Sequence, residues 1–462
     1  MTRSAADLLF RPRSVVVYGA STDPNKLSGR PLDYLKKFNY AGALSAVNPN
    51  REVVQGIPSY RSIDEVPGPI DLVIIVVPAD SVAEAVERCA EMGAGAAIVF
   101  ASGFAEGGGD GVERQNAIAA AAAKAGMRLL GPNCLGSFAA RTRAFATFST
   151  AFDDGSERPE SPIALVTQSG AVGTFTYTLM NSLGLGVRYF ANTGNQADLT
   201  VVEILTALAS EPDVELLLGH MEDFTDVDSF RQLAETAAHH DKPLIILKAG
   251  RSSAGSRAVA AHTGSVAGDD TVFNDLLREH GVVRVESMEG MADAALAFVG
   301  QKRAKGTRLT IVTLSGGAGA LAADAAIELG LMIEPWDDSS RREVAAHLPY
   351  FASTENPIDL TGSMINNVNL LRMTLAVVEE SESTDVTLVV LGNAERESDA
   401  IVDAIVACHE VTSKPLVVSW TGGSGRPRER LLAAGVPTYA DPSRAVRALA
   451  QAAQYGRRGT QP

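Results

Sequence analysis

The chain has 462 residues, which is more than a single hydrophobic core accommodates and predicts about three domains. Hydrophobic residues make up 46% of the chain and charged residues 21%, as in ordinary globular proteins, and the net charge is −15. Because the chain is acidic and contains no run of Lys and Arg, we expect neither nucleic acid nor an anionic membrane as a partner.

No stretch of the sequence is apolar for long enough to cross a membrane, and no apolar signal segment precedes the first strand-like run at Val15. The three cysteines, Cys89, Cys134 and Cys408, are far apart and form no metal-binding spacing. We therefore expect a reduced, cytoplasmic compartment and no metal site.

The same local pattern occurs three times along the chain: a β-branched apolar run, a turn containing glycine and serine, and a helix-like stretch. The apolar runs and their turns lie at residues 14–18 and 19–21, 163–167 and 168–173, and 309–314 and 315–319. Each copy places backbone amides at the start of a helix, where the helix dipole and the unpaired N–H groups favour an anion.

Six further apolar runs lie between these copies, at residues 72–77, 96–100, 215–219, 243–248, 386–391 and 415–419. Most of them are continuously apolar, which is typical of parallel strands that are covered on both faces. The sequence therefore predicts an α/β protein of three doubly wound units. The polar segment 153–162 and the charged segment 301–306 place the domains at residues 1–155, 156–302 and 303–462.

His262 lies in a run of small residues at 258–268, with no Lys, Arg or aromatic residue within three positions. A loop of this kind leaves room for a bulky anion, and the amides of Gly264 and Gly268 can hydrogen-bond phosphate oxygens. A histidine without chemistry, at a helix end or in a satisfied loop, is the alternative. The run taken alone leaves both interpretations open.

Several loops of the first unit follow strand ends, which is where open α/β sheets bind ligands. These loops contain Gly19 and Ser21, Asn48, Val77 and Pro78, Ser102 and Gly103, and Asn133. The turn at 19–21 lacks two glycines of a GxGxxG dinucleotide fingerprint, and the second strand runs into Asn48 and Pro49 with no acidic residue placed there to hold a ribose. The best formal match to the fingerprint, at 317–322, is explained equally well by close helix–strand packing, so an NAD(P)-dependent oxidoreductase is disfavoured.

The loops form an ordered series along nearly the whole chain. It runs through residues 19–21, 26, 48–49, 77–79, 131–136, 168–171, 194–198, 262–268, 315–319, 348–349, 356–360 and 419–423. In this order the motifs resemble those of the α subunit of NDP-forming acyl-CoA synthetases, the ADP-forming acetyl-CoA synthetase branch of the succinyl-CoA synthetase superfamily. No single motif decides the resemblance, but the ordered series is highly specific.

The resemblance implies a Rossmann-like CoA-binding domain followed by two flavodoxin-like ligase domains, the first of which carries the phosphohistidine loop. Members of this family interconvert acid, CoA and NTP with acyl-CoA, NDP and phosphate, by way of an acyl phosphate and a phosphohistidine. An ATP-grasp module exchanges the phosphoryl group with the nucleotide and its Mg²⁺.

Matched residue by residue, the resemblance makes His262 the phosphoryl acceptor and Glu222 the carboxylate that orients its ring. A neutral imidazole accepts a phosphoryl group near neutral pH, and a carboxylate on the other ring nitrogen fixes the tautomer. The implied phosphate-binding residues are Ser169, Gly170, Ala171 and Gly264. The implied CoA-binding residues are Gly19, Ser21, Lys26, Asn48, Val77, Pro78, Ser102, Gly103 and Asn133.

Three positions depart from the family's pattern and leave the acyl substrate open. Gln196 stands where relatives commonly have Lys, and His220 and Asp223 flank Glu222 in place of the more usual Tyr and Gly. Cys134 lies next to the expected thiol end of CoA, but we predict that it packs in the core and is not a nucleophile.

The sequence contains neither an ATP-grasp module nor a GxxxxGK[ST] pattern, so we expect a separate ATP-grasp β subunit and an oligomeric enzyme. The expected small ligands are a carboxylic acid, CoA and phosphate. The alternatives within the same fold are a CoA-binding regulatory protein and a carbamoyl- or acyltransferase relative. The intact run around His262 disfavours a protein that has lost its chemistry.

Overall fold

The computed structural model describes residues 3–153, 155, 159–224, 226–263 and 268–456, with residues 262 and 263 described by their backbone alone. Three β-sheets form in these residues, each built mainly from parallel strands. Helices connect successive strands, as parallel pairing requires. The predicted α/β class with parallel sheets is therefore confirmed.

The first sheet and its helices occupy the first 130 residues or so of the chain. Its strands are β1 Ser14–Tyr18, β2 Ala43–Val47, β3 Val53–Val54, β4 Ile57–Tyr60, β5 Leu72–Ile75, β6 Ala96–Val99 and β7 Arg128–Leu130. The helices are α1 Ala5–Phe10, α2 Arg30–Lys37, α3 Val82–Glu91 and α4 Gly111–Ala125. The spatial order is β3-β4-β2-β1-β5-β6-β7, so the order reverses at β1, where ligand crevices form in open sheets.

The second sheet takes its strands from residues 136–285. They are β8 Gly136–Ala139, β9 Ala144–Thr147, β10 Ile163–Thr167, β11 Tyr189–Asn192, β12 Leu216–Met221, β13 Leu244–Lys248 and β14 Val283–Val285. The helices are α5 Gly170–Ser182, α6 Val201–Ala209, α7 Val227–His239, α8 Ser253–Thr263 and α9 Asp270–Glu279. The spatial order is β14-β13-β12-β10-β11-β8-β9.

The β8–β9 hairpin belongs to the second sheet, although its residues lie within the predicted first domain. β8 pairs antiparallel with β11, and β9 completes the edge. Helix α1 adds a second connection, because Phe10 lies 5.2 Å from Tyr189 between ring centroids and the guanidinium of Arg11 pairs with Glu211 at 2.7 Å. One continuous hydrophobic cluster therefore contains buried side chains of both sheets.

The third sheet follows, with all its strands parallel. They are β15 Leu309–Thr313, β16 Ile358–Asp359, β17 Val386–Gly392, β18 Leu416–Thr421 and β19 Thr438–Tyr439. The helices are α10 Met288–Phe298, α11 Gly316–Glu328, α12 Asp338–Ala345, α13 Ser363–Asn366, α14 Asn369–Glu380, α15 Ser398–Val411, α16 Arg426–Ala433 and α17 Pro442–Gly456. The spatial order is β16-β15-β17-β18-β19.

The described chain divides into two compact units. The first extends to Met288 and omits Ser182–Gly184, and the second contains those three residues and the chain from Glu289 onward. The first two sheets thus share one unit, and the third sheet forms the other. The three domain boundaries drawn from the sequence stay a prediction.

Among the described residues, no helix combines the length and the apolar character of a membrane-spanning segment. In the same part of the chain, no group of three or more His, Cys, Asp or Glu side chains is arranged to hold a metal ion.

Candidate active site

Two neighbouring strand ends of the second sheet place the predicted phosphate-binding residues beside the predicted orienting carboxylate. β10 continues through Gln168 and Ser169 into α5, whose first residue is Gly170. β10 and β12 are parallel neighbours, so Glu222, which directly follows β12, emerges at the same edge. The turn at 169–171 and Glu222 are some 50 residues apart in the sequence, but they follow neighbouring strands and therefore lie next to each other.

Gln168 connects these two strand ends. Its Oε1 accepts hydrogen bonds from the backbone N–H groups of Glu222 at 2.8 Å and Asp223 at 3.3 Å, and its Nε2 donates to Asp223 Oδ2 at 3.1 Å. Gln168 is 4% exposed and Glu222 is 7% exposed. The buried amide thus fixes the backbone of Glu222 against the start of α5. Sequence reasoning assigned no role to Gln168, although it is part of the motif at 168–171.

Asn192, at the end of β11, holds the same turn from the other side. Its Nδ2 donates to the carbonyl oxygens of Thr167 and Gln168 at 3.0 and 2.9 Å, and its Oδ1 accepts from the amide of Leu135 at 2.6 Å. A Cβ at Gly170 would lie 2.6 Å from the Leu135 side chain, so only glycine allows this approach. The first turn of α5, whose amides have no intrahelical acceptor, is therefore rigidly placed.

A cleft of about 440 Å³ opens at this first turn. Five predicted site residues line it: Asn133, Ser169, Gly170, Ala171 and Glu222. Backbone amides at a helix N-terminus together with the dipole favour an anion in the cleft. Within the described chain, the other predicted CoA-binding residues do not line it.

Those other residues lie along the carboxyl edge of the first sheet. Gly19 and Ser21 follow β1, Asn48 follows β2, Val77 and Pro78 follow β5, Ser102 and Gly103 follow β6, and Asn133 follows β7. Lys26 lies exposed in the loop between β1 and α2. The structure therefore brings the set to one sheet edge, and its role in CoA binding stays a prediction.

The loop after β1 is packed tightly against the loop after β5. Gly19 has φ +91°, and a Cβ there would lie 2.7 Å from Val77 Cγ1, so both the backbone conformation and the close approach require glycine. Asn48 Nδ2 donates to the carbonyl of Ala20 at 2.9 Å and holds the loop from the β2 side. The loops after β1, β2 and β5 are thus held together at the point where the strand order reverses.

Glu106 connects the first-sheet loops to the second-sheet loop that precedes α6. Its carboxylate accepts hydrogen bonds from the amides of Gly103 at 2.5 Å and Phe104 at 3.2 Å, and from the Asn195 side chain. Asn195 in turn accepts from Asn133 Nδ2 at 3.2 Å. Burial alone would raise the pKa of Glu106, but these hydrogen bonds outweigh it and lower the pKa. Sequence reasoning did not identify Glu106.

His262 is helical in its backbone, because α8 extends to Thr263. The sequence predicts a loop around this residue, and that prediction is wrong for His262 itself, since the alanine-rich residues before it favour a helix. α8 lies against the short 3₁₀ helix Ala105–Gly107, which carries Glu106. The side chain of His262 and the whole of Gly264 lie outside the described residues, so their roles stay predictions.

Two of the three departures from the family pattern contact each other. Gln196 Nε2 donates to Asp223 Oδ1 at 3.4 Å, while Gln196 Oε1 accepts from the amide of Val201 at 2.8 Å. Asp223 therefore bridges Gln196 and Gln168 next to Glu222. The two departures from the family pattern thus form one hydrogen-bonded polar unit next to Glu222.

Cys134 is buried in the core, as its sequence context predicts. Its Sγ donates to the carbonyl of Val99 at 3.3 Å, and burial raises the pKa of the thiol to about 12. The thiolate is the nucleophilic form of cysteine, so Cys134 is inert at neutral pH.

His220, the third departure, is 2% exposed, and among the described residues its Nδ1 has no hydrogen-bond partner. Burial lowers the pKa of His220 to about 4, against about 6.5 in an unfolded chain. Between these two pH values the unfolded chain binds the extra proton and the folded chain does not, so the free energy of unfolding falls as the pH falls, by about 3 kcal/mol over the window.

We therefore expect His220→Leu to flatten the acid side of the stability profile. Urea unfolding between pH 7.5 and 4.5 measures this, and the difference between wild type and variant should change by about 2–3 kcal/mol across the range. If wild type and variant lost stability in parallel as the pH falls, His220 would bind its proton as readily in the folded protein as in the unfolded chain, and the prediction would be wrong.

The third sheet explains the glycine pattern that resembles a dinucleotide fingerprint. Gly319 lies in the first turns of α11, and a Cβ there would meet Thr313 at 3.0 Å and Pro357 at 3.3 Å. Gly317 has open space around it. Close helix–strand packing therefore accounts for Gly319 without a dinucleotide.

Comparison with protein families gives two matches. A CoA binding domain matches residues 13–139, and a succinyl-CoA ligase like flavodoxin domain matches residues 160–298. These ranges contain the first sheet and most of the second, and they agree with the predicted fold of both parts.

Similar proteins cover almost the whole chain. The α subunit of acetate–CoA ligase (ADP-forming) II from Pyrococcus furiosus is 32% identical, and the match covers 94% of each chain. Acetate–CoA ligase (ADP-forming) I from Archaeoglobus fulgidus is 33% identical over 97% of this chain, which spans 63% of that longer protein. Among solved structures, the dinucleotide-forming acetyl-coenzyme A synthetase 1 of Ca. Korarchaeum cryptofilum, in complex with phosphate and ADP, is 28% identical.

That structure matches with a TM-score of 0.90 over 98% of this chain and 97% of its own chain. Sequence identity above 30% over almost a complete α subunit, and a shared fold over nearly every residue, confirm the resemblance found in the ordered motifs. The chain belongs to the family of NDP-forming acyl-CoA synthetases, in its ADP-forming acetate–CoA ligase branch.

Proposed function

We propose that the chain is the CoA-binding and phosphohistidine-forming part of an NDP-forming acyl-CoA synthetase, an acid–thiol ligase. The overall reaction interconverts acid, CoA and NTP with acyl-CoA, NDP and phosphate. The observation that carries the proposal is the cleft at the start of α5, which gathers Asn133, the Ser169–Gly170–Ala171 turn and Glu222. An NAD(P)-dependent oxidoreductase lacks comparable support, because its fingerprint glycine is explained by packing.

The first-sheet edge is suited to CoA. Gly19 and Gly103 both have positive φ, at +91° and +96°, and neither residue carries a side chain that would keep a ligand away from the backbone of its loop. Lys26 is exposed nearby as a cation for a phosphate group. When bound, CoA supplies the thiol that accepts or releases the acyl group.

The cleft residues then handle an acyl phosphate. In the direction of acyl-CoA use, the amides at 169–171 would hold the oxygens of inorganic phosphate. One phosphate oxygen attacks the carbonyl carbon of the thioester. The carbon–sulfur bond breaks, and CoA leaves as the thiol after taking a proton. The same amides stabilise the negative charge that spreads over the phosphoryl oxygens.

Phosphoryl transfer to His262 completes the half-reaction on this chain. An imidazole nitrogen attacks phosphorus, the phosphorus–oxygen bond to the acyl group breaks, and the free carboxylate leaves. Glu222 would accept the N–H of the other ring nitrogen and so keep the attacking nitrogen unprotonated. The contact of α8 with the 3₁₀ helix that carries Glu106 supports the acceptor role of His262, because it brings the backbone of α8 to the first-sheet loops where we propose that CoA binds.

The nucleotide half-reaction is assigned to an ATP-grasp module with NTP or NDP and Mg²⁺, on a separate β subunit. The name of the Pyrococcus furiosus relative, an α subunit, supports a partner chain. The carboxylic acid and phosphate are the remaining substrates. Together with the β subunit the chain would form an oligomeric enzyme, which we place in the cytoplasm.

Calorimetric titration of the chain with CoA and, separately, with NADH tests the proposal. CoA should bind to one site, because the glycine-containing strand-end loops admit a ligand close to their backbone and Lys26 supplies a cation. NADH should not bind, because no acidic residue directly follows β2 to hold its ribose. Lys26→Ala should weaken CoA binding by about 3–10-fold, as expected for loss of one exposed phosphate contact. Binding of NADH without CoA would overturn the proposal, and CoA binding without phosphorylation at His262 would indicate a regulatory protein.

A further inference from the structure

Aromatic side chains form much of the wall of the cleft. Phe175 lies on α5 one turn beyond Ala171, and residues 171, 174 and 175 share the helix face that lines the cleft. Its ring is 58% exposed, an unusual position for a large apolar side chain next to a polar helix end. A ligand held at the first turn of α5 would therefore meet this ring directly.

Two more rings line the same cleft. Phe100 follows β6 and is 6% exposed, and Phe148 follows β9 and is partly exposed. Their ring centroids lie 4.7 Å apart at an interplanar angle of 63°, an edge-to-face pair that holds Phe148 in place. Phe148 is thus backed by a buried core residue.

The charges of the lining are few. Among the described lining residues, Arg30 is the cation and Glu222 the anion. Arg30 Nη1 donates to the carbonyl of Phe148 at 3.4 Å, and Arg30 forms no ion pair within the described chain. Phosphate and the reacting carboxyl group would use that single positive charge, which leaves no cation for a second carboxylate on the substrate.

We propose that the acid substrate is an aryl-bearing monocarboxylic acid whose ring packs against Phe175 and Phe148. The inference rests on the proposed function, which fixes the carboxyl carbon at the amides of 169–171. The rest of the acid must then extend over the adjoining wall, where acetate would leave Phe175 in water. Burial of the substrate ring between two aromatic side chains is the interaction that selects the substrate.

The test is a calorimetric titration of the chain with phenylacetyl-CoA, acetyl-CoA, succinyl-CoA and free CoA. Phenylacetyl-CoA should bind at least ~10-fold more tightly than acetyl-CoA, and Phe175→Ala should remove most of that difference while leaving acetyl-CoA and CoA nearly unchanged. Phe351→Ala is the matched control, because Phe351 is 61% exposed but lies in the other compact unit. It should leave all four affinities unchanged.

Equal binding of phenylacetyl-CoA and acetyl-CoA, or tightest binding of succinyl-CoA, would overturn the aryl-acid proposal and leave the proposed function intact. Absence of binding by every CoA compound would instead overturn the proposed function. A preference for phenylacetyl-CoA that Phe175→Ala does not alter would show that the ring binds elsewhere, and it would also overturn the proposal.

Discussion

Replacement of His262 by alanine is expected to abolish acyl-CoA synthesis, with a loss of at least ~10³-fold when the ATP-grasp partner is supplied. The physical reason is that no other group on the proposed path accepts the phosphoryl group, so the acyl-phosphate and nucleotide half-reactions become uncoupled. Labelled phosphate from NTP should be incorporated by wild type and not by the variant. A phosphoramidate is stable in base and labile in acid, so the label should survive alkali and be lost on acidification.

The companion variants separate chemistry from folding. CoA affinity should be unchanged in His262→Ala, because the predicted CoA-binding residues lie at the edge of a different sheet. Glu222→Ala should weaken phosphorylation by about 10-fold or more, in the range for removal of a group that orients a reactive histidine. Normal synthesis by His262→Ala would refute the phosphohistidine mechanism.

Gly194→Ala is expected to give a large loss of stability, about 2–4 kcal/mol. Gly194 has φ +54°, and a Cβ there would lie 2.3 Å from the carbonyl oxygen of Asn133 and 2.4 Å from that of Pro132. Both obstacles are backbone atoms that cannot rotate away. The loop that contains Gly194 would have to move away from the loop that contains Asn133. Because both loops line the cleft, this movement would also change the shape of the cleft. The urea unfolding midpoint measures the stability, and synthesis should fall with it.

Gly126→Ala is the matched control for this prediction. Gly126 ends α4 with φ +72°, and a Cβ there meets nothing within 4 Å. It should cost only about 1 kcal/mol, the price of a left-handed conformation at a non-glycine residue. Equal midpoints for the two variants would show that the loops at 132–133 and 194 adapt freely.

The sequence predicted the parallel strands well because they are continuous apolar runs between glycine-containing turns. It did not predict that residues 136–147 leave the first sheet, because antiparallel pairing of β8 with β11 joins segments about 50 residues apart and has no local signature. The helical backbone of His262 was missed for a related reason. Glycine and small residues were interpreted as a loop, whereas the preceding alanines extend α8.

The site was predicted only as far as its motifs extend. The turn at 169–171 and Glu222 follow strand ends, so their adjacency follows from parallel topology. The connections made by Gln168, Asn192 and Glu106 are side-chain to backbone hydrogen bonds between distant segments. Spacing along one sequence carries no information on such contacts, and only the three-dimensional structure reveals them.

The β8–β9 hairpin determines how this polypeptide can be divided. A fragment that ends near residue 155 would carry the hairpin away from β11, leaving two short strands without a sheet and a sheet with an uncovered edge. Uncovered edges recruit other chains and cause aggregation. Recombination or gene splitting that preserves folding must therefore move the first two sheets together, and a division after Met288 is one that leaves both of these sheets whole.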